Sequence, residues 1–156
     1  MPTFDREQLI SMVRSWIDES EFIYESSPDS NNDFVLTFSE KKNLPTLQLI
    51  HQNPQSEFFL LVSAVNIPNA DRTILREIDI GRYNSLIWNL KLSLLHMGVD
   101  FTVLGPDEFD PESWEVQLRL FIKKADANAF YEGCSRIKRA LISIIWTYKR
   151  ALDVGM

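Results

Sequence analysis

Residues 80–98 read IGRYNSLIWNLKLSLLHMG, and they decide the fold because they form a long helix standing between two groups of strands. Stepping about 100° per residue from Tyr83, the residues Ile87, Leu90, Leu94 and Met97 stay within about 40° of it, with Ile80 a little further round. That face is expected to cover a sheet. Gly98 supplies the residue that most readily adopts a left-handed helix end. Trp88, Leu92 and Leu95 fall together at about 120–180°, on a different side. Arg82, Ser85, Asn89, Ser93 and His96 occupy a narrow third arc, and Arg82 and Lys91 are the charged side chains between Ile80 and Met97. A helix apolar on several sides is normally buried on several sides. The second stripe therefore needs its own cover, from another helix of the chain or from a partner subunit. We read Trp88, Leu92 and Leu95 as part of a two-fold homodimer contact, the commonest symmetric arrangement. Ordinary monomer core remains the alternative, because apolar patterns are more often core than interface.

Upstream lie three strand candidates. Phe34, Leu36 and Phe38 alternate with Val35, Thr37 and Ser39, the period of a half-buried strand. Residues 46–51 place Leu47 and Leu49 in phase, and Phe58–Val65 is a nearly continuous apolar run that predicts a central strand covered on both faces. Short polar turns between them favour an antiparallel meander. Before these, Asp5 can cap a helix whose stripe is Leu9, Met12, Val13, Trp16 and Ile17. Phe22 and Tyr24 make a short strand or the lead-in to one. Pro68, Asn69 and Asp71 suit a short helix start after the meander. Downstream, Val99–Leu104 and Trp114–Lys123 read as two strands joined by the acidic loop 105–113. Ala125 to about Leu152 is a long terminal helix, capped by Asp126 or Asn128, with its stripe on Phe130, Cys134, Ile137, Leu141, Ile144, Tyr148 and Leu152.

Runs of strands interrupted by single helices predict an α+β fold, an antiparallel sheet with helices packed on it in the order α, β-meander, α, ββ, α. No repeat or linker divides residues 1–156, so a single domain is expected. At 156 residues, 45% hydrophobic and 24% charged, the chain can bury about two-thirds of its unfolded surface without disulfides or metals. Cys134 is the one cysteine, so no intrachain disulfide forms. No apolar run approaches the roughly 18 residues of a membrane span, and the N-terminus has no signal-peptide pattern. A cytoplasmic location is the default expectation.

The net charge is −6, concentrated in the first 33 residues, where eight acids face two bases. A phosphate-binding surface needs clustered cations. Arg136, Lys138, Arg139, Lys149 and Arg150 spread over most of the polar arc of the last helix and read as a solvated face. Nucleic acid and membrane are therefore not expected partners. Chemistry is equally sparse. His51 and His96 are the two histidines; His96 suits a helix C-terminus, and His51, at a strand end, is expected to be half-exposed. No paired metal spacing, nucleophile elbow or Gly-rich phosphate loop occurs. Asp29, Asn31, Asp33 and Glu40 match a calcium loop at positions 1, 3, 5 and 12, but Phe34 stands where a Gly is needed. Asp107, Glu108, Asp110 and Glu112 form a second acidic set that reads as solvated. No catalytic, metal or cofactor residue is assigned.

This order of elements resembles the type III secretion chaperone-like fold. Its carriers are the strands at 34–38, 47–49 and 58–65, the 80–97 helix, and the strand–helix pair 116–123 and 125–152. More closely, the chain looks like a member of an uncharacterised family of small prokaryotic proteins with this fold. The resemblance implies a homodimer with the central helix at its interface and binding of protein segments on exposed sheet and helix surface. The expected function is a non-enzymatic homodimeric protein-binding module with chaperone-like behaviour, burying apolar partner segments. A structural or regulatory subunit of a larger complex is the first alternative. An enzyme with a pocket near His51 or the Asp107–Glu112 loop is the second.

Overall fold

A computed structural model describes residues 4–28, 31–41, 45–107 and 110–155, with side chains to Asp153. The chain runs α1 (Arg6–Glu19), β1 (Ile23–Ser26), β2 (Phe34–Ser39), β3 (Leu47–His51), β4 (Phe58–Asn66), α2 (Asn69–Leu75), α3 (Ile80–His96), β5 (Asp100–Leu104), β6 (Ser113–Phe121) and α4 (Ala127–Gly155), with a 3-10 turn at Ile122–Lys124. The six strands form one sheet in the order β1-β2-β3-β4-β6-β5. Consecutive strands of the meander pair antiparallel, with Leu36 opposite Leu49 and Leu49 opposite Leu61. Two backbone bonds frame the β4–β6 junction: Ile122 N–H to the Glu57 carbonyl at 2.9 Å and Ile67 N–H to that of Glu112 at 2.8 Å. Residue sums that stay constant along a pair mean antiparallel strands. The fold is α+β, as expected.

Local chemistry explains the element ends. Asp5 Oδ1 accepts from the N–H groups of Glu7 and Gln8, satisfying two free donors of α1. At the other end of that helix Phe22 N–H reaches the Ile17 carbonyl and Glu21 N–H that of Asp18. This is the paired-bond helix ending that usually carries Gly, yet Glu21 fills the left-handed position at φ 60°. Helix α3 ends in the same way with the favoured residue: Gly98 has φ 73°, and Val99 N–H reaches back to Leu94. Asp79 caps the start of α3 and Asp126 that of α4.

The chain divides into two compact units, residues 1–63 with 118–135 and residues 64–117 with 136–156. The boundaries run through β4, β6 and α4. In the first unit, fully buried Leu36, Leu49, Leu61 and Phe59 share one sheet face. Trp16 of α1 and Phe130 of α4 close over that face, 6.3 Å from Phe59 and 5.4 Å from Phe38 respectively, ring to ring. Gly133 brings α4 against β4, since a Cβ there would stand 2.8 Å from Leu61 Cδ1. In the second unit, Trp114 is fully buried and donates its Nε1–H to Tyr148 Oη at 2.8 Å. Tyr83 Oη lies 3.4 Å from the same oxygen. That trio ties β6, α4 and α3 together.

Strand β4 departs from expectation. Phe59, Leu61 and Ser63 are buried, whereas Phe58, Leu60 and Val62 are only half-buried. The apolar run reflects one covered face and one open face whose residues shelter each other sideways. Arg119 stacks over the Phe58 ring at 4.8 Å, and Phe121 lies edge-on to it at 5.9 Å.

Candidate interaction surface

Helix α3 shows how the two apolar stripes divide. Tyr83, Ile87, Leu90 and Leu94 are buried. Trp88, Leu92 and Leu95 expose 64%, 41% and 60% of their surface. Among the described residues most of Trp88 and Leu95, and a good part of Leu92, is left uncovered. The terminal helix lies along the opposite flank of α3, where Leu86, Asn89 and Ser93 face Ser143 and Trp146 across a groove. Positions 86, 89 and 93 fall at about 240–300° on the wheel that places 88, 92 and 95 at about 120–180°. Helix α4 is thus the intrachain candidate that could have covered the second stripe, and it sits on the wrong side to do so. The three side chains expose on the order of 300 Å² together, the size at which an apolar patch on a monomer is often functional.

The other candidates behave differently. His51 is fully buried rather than half-exposed. Its Nδ1 lies 2.8 Å from Asp33 Oδ2, and its Nε2–H donates to the Ser56 carbonyl at 3.0 Å. The rings of Phe34 and Phe59 pack at 5.3 and 5.6 Å. Both nitrogens are engaged, so the imidazole fastens a strand end to the turn before β2 and the turn before β4. Asp33 is spent on that lock. Asp29 of the partial calcium loop lies outside the described residues, as does Glu108 of the acidic loop. Within that loop Asp110 is not simply solvated. Arg72, buried to 9% exposure, reaches it through Nε at 3.0 Å, and Arg76 Nη2 lies at 2.9 Å. The Arg76 and Arg72 hydrogen bonds hold the Asp110 carboxyl below its ordinary range. The loop is therefore clamped to α2. Among the described residues no group of three or more His, Cys, Asp and Glu is placed to hold a metal ion, and no helix is long and apolar enough to cross a membrane.

Burial pushes the Cys134 thiol and the Tyr148 and Tyr83 phenols up from their ordinary values. All three are buried groups of the core. One exposed residue escapes a reading of the core stripe: Trp146, 69% exposed on α4. It sits inside the apolar run 141–146 but about 180° away from Ile137. Its phase, rather than its hydrophobicity, is the signal.

A family model described as an uncharacterized conserved protein, DUF2299, matches residues 9–148. The fold is similar to that of a crystal structure of an uncharacterized protein from Methanothermobacter thermautotrophicus, with a TM-score of 0.81, 20% identity, and coverage of 91% of this chain and 97% of that one. No curated protein matches the chain. At that identity the likeness concerns the fold alone.

Proposed function

The chain belongs to the DUF2299 family, and we propose that it acts as a non-enzymatic homodimeric protein-binding module, its subunits joined through Trp88, Leu92 and Leu95. One observation carries the reading: these three side chains form a contiguous apolar stripe on the flank of α3 that faces away from α4. Removing Trp88 from water would bury on the order of 100–150 Å², worth about 3 kcal/mol at roughly 25 cal/mol per Å². Indole rings in such positions are typical anchors of protein contacts. Two-fold symmetry sets a patch against its own copy. The three stripe side chains are uncharged, and Lys91 on their border is the one cation within a turn of them.

The order of elements supports the same reading through its resemblance to the type III secretion chaperone-like fold, in which the central helix serves dimers and exposed surfaces hold protein segments. The half-open face of β4 with Leu60 and Val62 offers such a surface in the first unit. An enzymatic reading finds no support at His51, whose ring is sealed and doubly bonded. Sedimentation of Trp88→Asp tests the proposal: a folded chain of single mass supports it, and a folded chain that still dimerises refutes it. A circular dichroism spectrum matching that of the parent chain identifies the folded state.

A further inference from the structure

We propose that the groove between α3 and α4 receives an acidic, amphipathic segment of a partner protein, seated on Trp146. This rests on the reading of the chain as a protein-binding module and names the chemistry of its partner. The groove, about 270 Å³ in volume, has Leu86, Leu90 and Ser93 on its α3 wall and Ser143, Trp146 and Arg150 on its α4 wall. Leu90 makes an apolar floor, and the indole of Trp146 makes an open apolar rim. Space of that size takes one or two apolar side chains, as a helix presents them at i and i+3 or i+4.

Charge selects the partner. Helix α4 carries Arg136, Lys138, Arg139, Lys149 and Arg150 between two acids, Glu132 and Asp153. All five are exposed, in a chain whose net charge is −6. Lys149 and Arg150 follow Trp146 by one helical turn and Arg139 precedes it by two, with Asp153 two turns beyond it, so cations outnumber acids on the face of the indole. A segment with apolar anchors flanked by Asp and Glu complements both features, and electrostatic matching of this kind favours encounter and register. A duplex or a lipid surface would use the cations but would leave the concave apolar floor unfilled.

The test titrates the full chain with two fluorescein-labelled 16-residue helical peptides, Leu at every third or fourth position and Glu elsewhere, or the same Leu pattern with Lys. Anisotropy gives affinity, and amide chemical shifts give location. The acidic peptide is expected to bind at least tenfold more tightly than its Lys counterpart and to shift residues 86–93 and 143–150. Trp146→Ser and Arg150→Glu, both at exposed positions, are each expected to weaken it at least tenfold while the dimer mass stays unchanged. Equal binding of the two peptides overturns the proposal. So does engagement of residues 143–150 by a single-stranded oligonucleotide or by phosphatidylglycerol vesicles, with no response to the acidic peptide. If peptide binds but the shifts fall on the open face of β4, the groove is refuted and the binding-module reading stands. If neither peptide binds at millimolar concentration, both fall.

Discussion

Trp88 and Trp146 are almost equally exposed, at 64% and 69%, and what differs is their company. Trp88 shares its flank of α3 with Leu92 and Leu95, with Lys91 alone at the border. Trp146 shares its face of α4 with three cations, Arg139, Lys149 and Arg150, and one acid, Asp153. A two-fold axis brings each surface against itself. For α4 that would crowd Lys149 and Arg150 with their own copies, a like-charge apposition that opposes pairing. For α3 it opposes indole and isobutyl groups to their like, which is favourable. The two tryptophans therefore suit different occupants: a second copy at the apolar one, an acidic partner at the more cationic one. Exposure alone does not say what a surface is for. Neighbouring charge does.

That contrast breaks most readily at Trp88. Replacing it with Asp places a carboxylate opposite its own copy and removes the largest apolar contact, so dimer dissociation should strengthen at least a hundredfold, about 3 kcal/mol or more. Analytical ultracentrifugation across a concentration series measures it; an unchanged dissociation constant would mean the apolar flank is not the seam. Next in size is the support beneath both faces. Tyr148→Phe leaves the buried Trp114 N–H without its acceptor, and should lower unfolding stability by about 1–3 kcal/mol in urea titration. Monomer stability at undiminished levels would show that the trio does not fasten α3 and α4 to the sheet. Leu95→Ala, at the rim of the stripe, should weaken the dimer by about 1 kcal/mol, several-fold in the same experiment, with little change in monomer stability. Smallest is the response to salt. Raising sodium chloride from 50 to 500 mM should change the dimer constant less than about threefold, because Trp88, Leu92 and Leu95 are uncharged, whereas the α4 face should lose acidic ligands strongly. A steep salt dependence of the dimer would exchange the roles assigned to the two faces.

The architecture was legible because its signals are local. Helical spacing in α3 separates the buried set from Trp88, Leu92 and Leu95, and Gly98 marks the helix end, each within a few residues of sequence. The short turns of the meander likewise declare antiparallel neighbours. The misreadings arise where distant residues meet. His51 looks like a strand end beside a turn, and nothing nearby announces Asp33 on one side and the Ser56 carbonyl on the other. Asp110 looks like one acid among several until Arg72, 38 positions earlier, arrives beside it. The run Phe58–Val65 reads as doubly covered because apolar side chains on an open sheet face look the same in sequence as those beneath a second layer. Trp146 was concealed by its position inside an apolar run, although its helical phase distinguishes it from the core stripe.

The account depends most on whether the apolar flank of α3 meets its own copy. Sedimentation equilibrium of the unmodified chain, from one to a hundred micromolar, tests this directly. The account predicts a mass approaching twice the 18.1 kDa of one chain. A species of 18.1 kDa throughout that range would contradict it.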